Sequence, residues 1–423
     1  MRPMTPRGFR DVLFAEARER EIVAGAMSEV FASWGYDPVD TPVVEEDSTL
    51  ARGAGGDIER AAFRFFDLDG SLLALRPEMT VPIARVAASR LADGPGPHRI
   101  RYVAPVFREH ASLRGQARQF TQVGVEFIGA SGPAADAEIV LLLLGALAAT
   151  GLSSYLVGIG TGEVLRAILD RADAPAEWQD AVIAAAQGRN LVELDALADR
   201  AGLGPEFALA LREVPRLGGG AEALERCREL AAACGCEQSL DALSATWRLL
   251  EALGETDRVR IDFGIMRSFA YYTGMQLEAY APGLGLPLAG GGRYDRLLGA
   301  FGAPAPAAGF ALGLERVMIA LAEEGRTPHL EPLDAVLGGH DAAAVLAAAA
   351  CLRAAGWRVR VAPGITGVAL VREADEAVAA EALLAEAGMI VRVDRAGEIA
   401  VPLGDPLPVP PRRTWAAGRG EAR

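Results

Sequence analysis

The 423-residue sequence predicts an α+β fold: an antiparallel sheet flanked by helices, carrying a helical insertion and followed by a small α/β domain. Three observations predict it. Two extended stretches, "HRIRYVAPVF" and "QFTQVGVEFIGA", flank an Arg-rich loop and pair most simply through it. From about 152 to 255 the chain turns Ala/Leu/Glu-rich and helical in pattern. After about 333, short apolar runs alternate with helical segments in a βαβ-like order.

Along the chain, Ile22, Val23, Met27, Val30, Phe31 and Trp34 recur at helical spacing, which predicts an amphipathic helix over Glu16–Trp34. "GYDPVDTPVVEE" leaves it as an extended segment in which Pro42 suits a strand edge or an interface. "FRFFDLDGSLLALRP" reads as a hairpin turning at Asp69-Gly70, and "EMTVPIARVAASRLA" as a helix. The two strands around the Arg-rich loop follow, then a helix over Asp136–Ala149. Breaks at "DAPAEW", "GLGPEF" and "PRLGGG" divide the insertion into helices. Strands return in "RVRIDFG" and "MQLEAYA", and the turn "AGGGRYDRLLGAFG" leads to a strand and helix in "AAGFALGLERVMIALAEE". The expected division is therefore 1–325 for the main domain, 326–332 for a linker and 333–405 for the small domain. Within the last, helices are expected near Asp341–Ala355 and Asp375–Ala387, and residues 406–423 form a Pro-rich, disordered tail.

Apolar residues make up 51% of the chain, enough for a large core, and the net charge of −14 argues against a protein that chiefly grips nucleic acid. The basic residues are all Arg, a compositional bias from which no function follows. Cys227, Cys234, Cys236 and Cys351 fit no zinc spacing and read as buried or idle thiols in a reducing compartment. "MRPMTPRGFRDVLF" has no apolar h-region, and "AEIVLLLLGALAATGL" suits a buried helix better than a membrane span, so a cytoplasmic location is expected.

On a strand, alternate residues share a face, so Gln122, Gly124 and Glu126 point one way and Val123, Val125 and Phe127 the other. Gln122 and Glu126 lie ~13 Å apart at ~3.3 Å per residue, with Gly124 leaving a hollow between them. Arg108, at the end of the preceding strand, can join that face. This describes a ligand pocket; a solvated sheet face is the other reading of the same pattern. "LRPEMT" adds Glu78 and Thr80 at a helix start, "IMRSFAYYTGM" adds Arg267 and Tyr272, and "GGGRYD" adds Tyr294.

Together, "LRPEMT", "FR…RQFTQVGVEFIG", "RSFAYYTG", "GGGRYDRLLGAFG" and "GFALGLERV" resemble histidyl-tRNA synthetase, a class II synthetase, over roughly residues 5–325. The resemblance implies an antiparallel sheet flanked by helices, a dimer formed partly through the Pro42 region, and a histidine pocket of Glu78, Thr80, Arg108, Gln122, Glu126, Arg267, Tyr272 and Tyr294. In that pocket, carboxylates and Thr80 can hold an α-ammonium, Glu126 and the tyrosines an imidazole, and Arg267 a carboxylate.

The sequence departs from the synthetases at their chemistry. Their Phe-Arg-x-Glu pattern, whose Glu helps hold adenine, has His110 in the last place here. Ala111, Ser112 and Leu113 replace an Arg-Pro-Gln-like run, Gln116 replaces a loop Arg, and Ala270 replaces the acidic residue of "RGLDYYTG". Arg108 and Arg316 remain as residual phosphate-binding candidates. Residues 331–405 hold six Arg against eleven Asp or Glu, a poor surface for an anticodon. "PRLGGGAEALERC" resembles the synthetase paralogues that serve as regulatory subunits of ATP phosphoribosyltransferase. That resemblance implies a catalytically silent chain with no cofactor, paired in a hetero-oligomer with a short catalytic ATP phosphoribosyltransferase and mediating feedback inhibition by L-histidine. A working histidyl-tRNA synthetase and a free-standing histidine-binding protein are the alternatives.

Overall fold

The computed structural model describes residues 4–53, 60–109, 117–199, 202–266 and 272–330, then 335–338, 343, 346, 349–350, 353–354, 356, 358–361, 366–371, 385–394 and 397–402. The chain divides into two compact units, Met1–Pro328 and His329–Arg423.

In the first unit, helix α1 (Phe14–Ser33) leads to β1 (Asp37–Pro38), β2 (Val44–Glu46) and α2 (Asp47–Gly53). The hairpin β3 (Phe63–Phe66) and β4 (Leu72–Leu75) follows, then α3 (Thr80–Val86). Its turn falls where expected: Gly70 adopts φ +87°, which a glycine tolerates, and donates to the Asp67 carbonyl at 3.0 Å. Next come β5 (His98–Phe107), β6 (Gln119–Ile128), α4 (Pro133–Ala149) and β7 (Leu156–Thr161). Six helices run from α5 (Glu163–Arg171) through α6 (Ala176–Gln187), α7 (Leu191–Ala198), α8 (Pro205–Glu213) and α9 (Ala221–Ala233) to α10 (Asp241–Ala252), with β8 (Gly218–Gly219) between the last pair but one. The unit closes with β9 (Val259–Asp262), β10 (Met275–Tyr280), β11 (Ala289–Arg293), β12 (Ala307–Gly313) and α11 (Leu314–Glu323).

Nine strands form one sheet in the order β1-β5-β6-β12-β11-β10-β7-β9-β8, and β2-β4-β3 form a small second sheet. The large sheet is antiparallel from β5 to β7; β1 joins β5 and β9 joins β7 in parallel. The stretch expected to be helical from about 152 thus opens with β7, an interior strand of this sheet, before its helices begin.

Strand alternation sorts the two faces. Val123, Val125, Phe310, Leu312, Leu277 and Ile159 point into the main core with α1 and α4. Helix α4 buries Ile139, Val140, Leu142, Leu143, Ala146 and Leu147, so its near-uniform apolarity reflects burial. Among the described residues, no helix is long and apolar enough to cross a membrane. Helix α1 buries Val23, Met27 and Phe31 as expected, but Trp34 follows its last residue and is exposed. Pro42 lies between β1 and β2, outside either strand. Cys227, Cys234 and Cys236 are buried free thiols, and burial pushes the Cys227 thiol up to about 12; Cys351 lies outside the described residues.

The second unit holds a five-stranded sheet in the order β14-β13-β15-β16-β17. Its strands are β13 (Ala335–Gly338), β14 (Val359–Val361), β15 (Thr366–Val371), β16 (Ala385–Asp394) and β17 (Gly397–Pro402). Strand β16 already includes 385–387, where the sequence pattern suggested helix: the Ala/Glu-rich composition favours a helix, but Ala385 pairs with Thr366 of β15, which starts the strand there.

Candidate functional site

The register of the large sheet lays out a row on the face away from the main core: Ile100, Glu126, Gly309, Gly292, Gln276 and Gly160 are successive cross-strand partners from β5 to β7. A neighbouring row holds Tyr102, Gly124, Ala311, Gly290, Glu278 and Gly158. A third pairs Ala104, Gln122 and Gly313. The floor is therefore glycine and alanine, and the polar side chains rising from it are Glu126 and Gln122 on β6 and Gln276 and Glu278 on β10. Helix α3 covers one end, packing Met79 and Ile83 with Tyr102, Val106 and Tyr294 into a second cluster.

Glu126 is the centre of this face. It is 1% exposed, the Tyr102 hydroxyl donates to its Oε1 at 3.2 Å, and the Tyr294 hydroxyl donates to its Oε2. Thr80 also bonds it. Burial lifts its carboxyl to about 8, and nearby Glu78 adds to the rise, while the three hydroxyl contacts oppose it. Gly309 is required beneath it, since a Cβ there would collide with the Glu126 carboxylate.

Glu78 and Thr80 are held by the turn into α3. The Glu78 oxygens accept the backbone N–H groups of Thr80 at 2.6 Å and Val81 at 2.7 Å, a carboxylate placed at a helix start where free N–H groups and the dipole favour it. Burial still raises the Glu78 carboxyl. The turn is pinned by Arg76, 1% exposed, which donates to the carbonyls of Pro105 at 2.9 Å and Thr41 at 2.6 Å and weakly to that of Pro42 at 3.3 Å. Arg108 donates to the Pro77 carbonyl at 2.8 Å, lies 5.2 Å from the Phe120 ring centre, and interacts electrostatically with Glu78.

Glu78, Thr80, Arg108, Glu126 and Tyr294 are thus brought together. Tyr272 joins them: a Cβ on Gly292 would meet its ring at 2.9 Å. Gln122 shares the face, buried, with its Oε1 unpartnered among the described residues. Arg316 lies at the Gln122 end, near Gly313, donating to the Pro287 carbonyl at 2.7 Å. Arg267 lies outside the described residues, as do His110, Gln116 and Ala270.

The hollow expected over Gly124 is filled. A Cβ there would lie 2.6 Å from the Tyr102 hydroxyl, because Tyr102 is the cross-strand partner of Gly124 and lays its ring over the gap. Tyr102 escaped sequence reasoning because its role follows from register. Gln276 and Glu278 also escaped, although "MQLEAY" carries the alternating Gln and Glu that marked "TQVGVEF". Arg293 turns inward to the core instead of the pocket: it pairs with buried Asp136 at 2.6 Å and also reaches Asp295 and the Ala130 carbonyl.

Comparisons with known proteins agree with this architecture. The histidyl-tRNA synthetase family matches residues 8–317. The chain is 40% identical over 354 residues to the ATP phosphoribosyltransferase regulatory subunit of Moorella thermoacetica, covering 84% of this chain and 90% of that one. It is 36% identical to the ATP phosphoribosyltransferase regulatory subunit of Bacillus subtilis, covering 75% and 81%. A solved structure described as an ATP phosphoribosyltransferase regulatory subunit/histidyl-tRNA synthetase from Bacillus halodurans C superposes with a TM-score of 0.77 at 30% identity, covering 85% and 93%. Histidyl-tRNA synthetase from Nostoc sp. PCC 7120, at 22% identity and a TM-score of 0.73 over 95% and 97%, is similar in fold.

Proposed function

The chain belongs to the family of ATP phosphoribosyltransferase regulatory subunits, which shares its fold with histidyl-tRNA synthetase, and on that premise we propose that it binds free L-histidine and conveys that binding to a catalytic ATP phosphoribosyltransferase. Its role is regulatory, at the first step of histidine biosynthesis, and the chemistry belongs to the partner. The observation that carries the histidine reading is the buried Glu126 carboxyl, ringed by Tyr102, Tyr294 and Thr80 above a floor of glycines. An imidazole needs a partner at each ring nitrogen, and a carboxyl flanked by hydroxyls offers one without demanding a full charge in the core. Glu78 and Thr80 suit the ammonium, and Arg267 the carboxylate, on the family pattern. A second copy of this chain is expected to pair through the Pro42 segment, and the complex to act in the cytoplasm.

Binding becomes regulation only if histidine favours one state of the complex over another. The test is to mix the purified chain with a short catalytic ATP phosphoribosyltransferase, measure phosphoribosyl-ATP formation and titrate histidine. The chain is expected to raise turnover, and histidine to suppress it. Tyr272→Phe and Arg267→Ala should blunt the inhibition and leave most of the activation. A catalytic chain that is equally active and equally histidine-sensitive by itself removes the assignment.

A further inference from the structure

Helices α1 and α11 leave a groove of about 220 Å³ on the surface of the first unit. Met318, Ile319 and Ala322 of α11, with Pro328, give it apolar sides, and Ile319 is 49% exposed. Arg10, Glu16, Glu19 and Glu315 give it charged ones. These charges do not cancel. Arg10 pairs with Glu16 and Arg20 pairs with Glu315 at 2.8 Å, which leaves Glu19 without an ion pair or hydrogen bond among the described residues. The start of α1 also exposes Leu13 and Phe14, the latter at 82%. Phe14 adopts φ +45°, a left-handed conformation that a bulky residue rarely takes. Burial of its ring does not offset that strain, so strain and exposure at one aromatic point to a contact with another molecule.

Glu315 joins the groove to the candidate site. Both of its oxygens accept the Thr121 N–H, at 3.1 and 3.0 Å, and Arg20 donates to the Thr121 hydroxyl at 2.6 Å. Thr121 precedes Gln122 in β6, one position beyond the last residue that β12 pairs, so the carboxylate stands in for the missing ladder acceptor. An occupant of the groove therefore touches the group that anchors the strand carrying Gln122 and Glu126.

We propose that the groove docks an apolar, Arg- or Lys-bearing segment of the catalytic ATP phosphoribosyltransferase. The proposal rests on the regulatory reading and gives that partner a surface. The volume is below the ~300–1,000 Å³ of pockets that enclose small molecules, and it suits a few side chains of a peptide segment. Apolar side chains cover Ile319 and Phe14, and a cation pairs with Glu19 at the rim. Charge decides against a second copy of this chain. A two-fold contact sets one patch against itself, so each Glu19 rim would face another, in chains that each carry −14.

The experiment measures assembly of the full chain with a short catalytic ATP phosphoribosyltransferase by titration calorimetry, beside the mass and melting temperature of the chain alone. Ile319→Arg and Phe14→Gly should each weaken assembly at least tenfold while the chain's own mass stays the same. Phe14→Gly should leave the melting temperature unchanged or raised, because glycine takes φ +45° freely. Glu19→Arg should weaken assembly at low salt, and its difference from wild type should close as salt rises. Unchanged affinity in Ile319→Arg and Phe14→Gly overturns the proposal. So does a loss of affinity in Phe14→Gly that comes with a lower melting temperature, because the residue is then structural. A smaller mass for a variant alone gives the groove to a second copy, and a Glu19→Arg deficit that salt does not change removes the basic segment. If the wild-type chain forms no complex, the regulatory reading falls and the groove assignment falls with it.

Discussion

Glu126 and Arg76 are two buried ionisable side chains that the fold handles in opposite ways. Burial and neighbouring Glu78 raise the Glu126 carboxyl from 4.5 to about 8, so the folded chain keeps a proton there that the unfolded chain has released. Between those values the folded state binds more protons than the unfolded one. This group's contribution to stability is therefore greatest below about 4.5 and is lost as pH rises towards about 8. Glu126→Gln, which imitates the protonated form, should flatten that slope and be more stable than the parent at pH 8. Urea unfolding at pH 5 and pH 8 measures it, and an unchanged slope would show that the carboxyl is already ionised. Glu126→Ala should weaken histidine binding by about 1–3 kcal/mol, read by calorimetry, since it leaves buried ligand groups unpaired. Arg76 keeps its charge by donating to the backbone carbonyls of Pro105, Thr41 and Pro42 and to the Thr41 hydroxyl. Arg76→Met should cost about 3 kcal/mol in denaturant unfolding, because it strands carbonyls and frees the turn that carries Glu78.

Elements matter because each site residue is aimed by the strand or helix end beneath it. Glu126, Gln122 and the separation of the two faces were legible in "TQVGVEFIG", since strand alternation is a local property. The helix start at Thr80 was legible in "LRPEMT" for the same reason. What could not be read was register: that Tyr102 covers Gly124 depends on how β5 and β6 are aligned across their loop, and that Gln276 lies in the row of Glu126 depends on which strands meet across the intervening helices. The inward turn of Arg293 was hidden likewise. Its partner, Asp136, lies in the first turn of a helix far away in sequence, and the bridge ties α4 to β11 just before Tyr294. A pair of this kind gives little net stability, but breaking it leaves a buried charge. Asp136→Ala should therefore destabilise the fold by about 3 kcal/mol, and Asp136→Leu combined with Arg293→Met should recover much of that. Chemical denaturation of the two variants tests this; a single variant no worse than the double would mean that Asp295 and the Ala130 carbonyl alone satisfy Arg293.

At the scale of the whole molecule, the question is why a synthetase fold with the proposed amino-acid pocket should leave tRNA uncharged. Adenylation needs groups that hold ATP beside the amino acid, and transfer needs a positive surface that meets tRNA phosphates. The sequence has His110 where the synthetases place the adenine-holding Glu, Gln116 where they place a loop Arg, and Ala270 where they place an acid. Arg108 and Arg316 remain, but retained cations do not by themselves assemble the missing adenine contact. The chain as a whole carries −14, and residues 331–405 hold more acidic than basic side chains. Each deficit lies on a different part of the chain, so repairing one should not restore function. The expected result is no robust histidine-dependent ATP–pyrophosphate exchange and no aminoacylation of total tRNA, with or without His110→Glu. A weak exchange signal is compatible with residual triphosphate contacts at Arg108 and Arg316. Robust exchange by the unmodified chain would show that His110 substitutes for the glutamate, and the chain would then have to be read as a working synthetase.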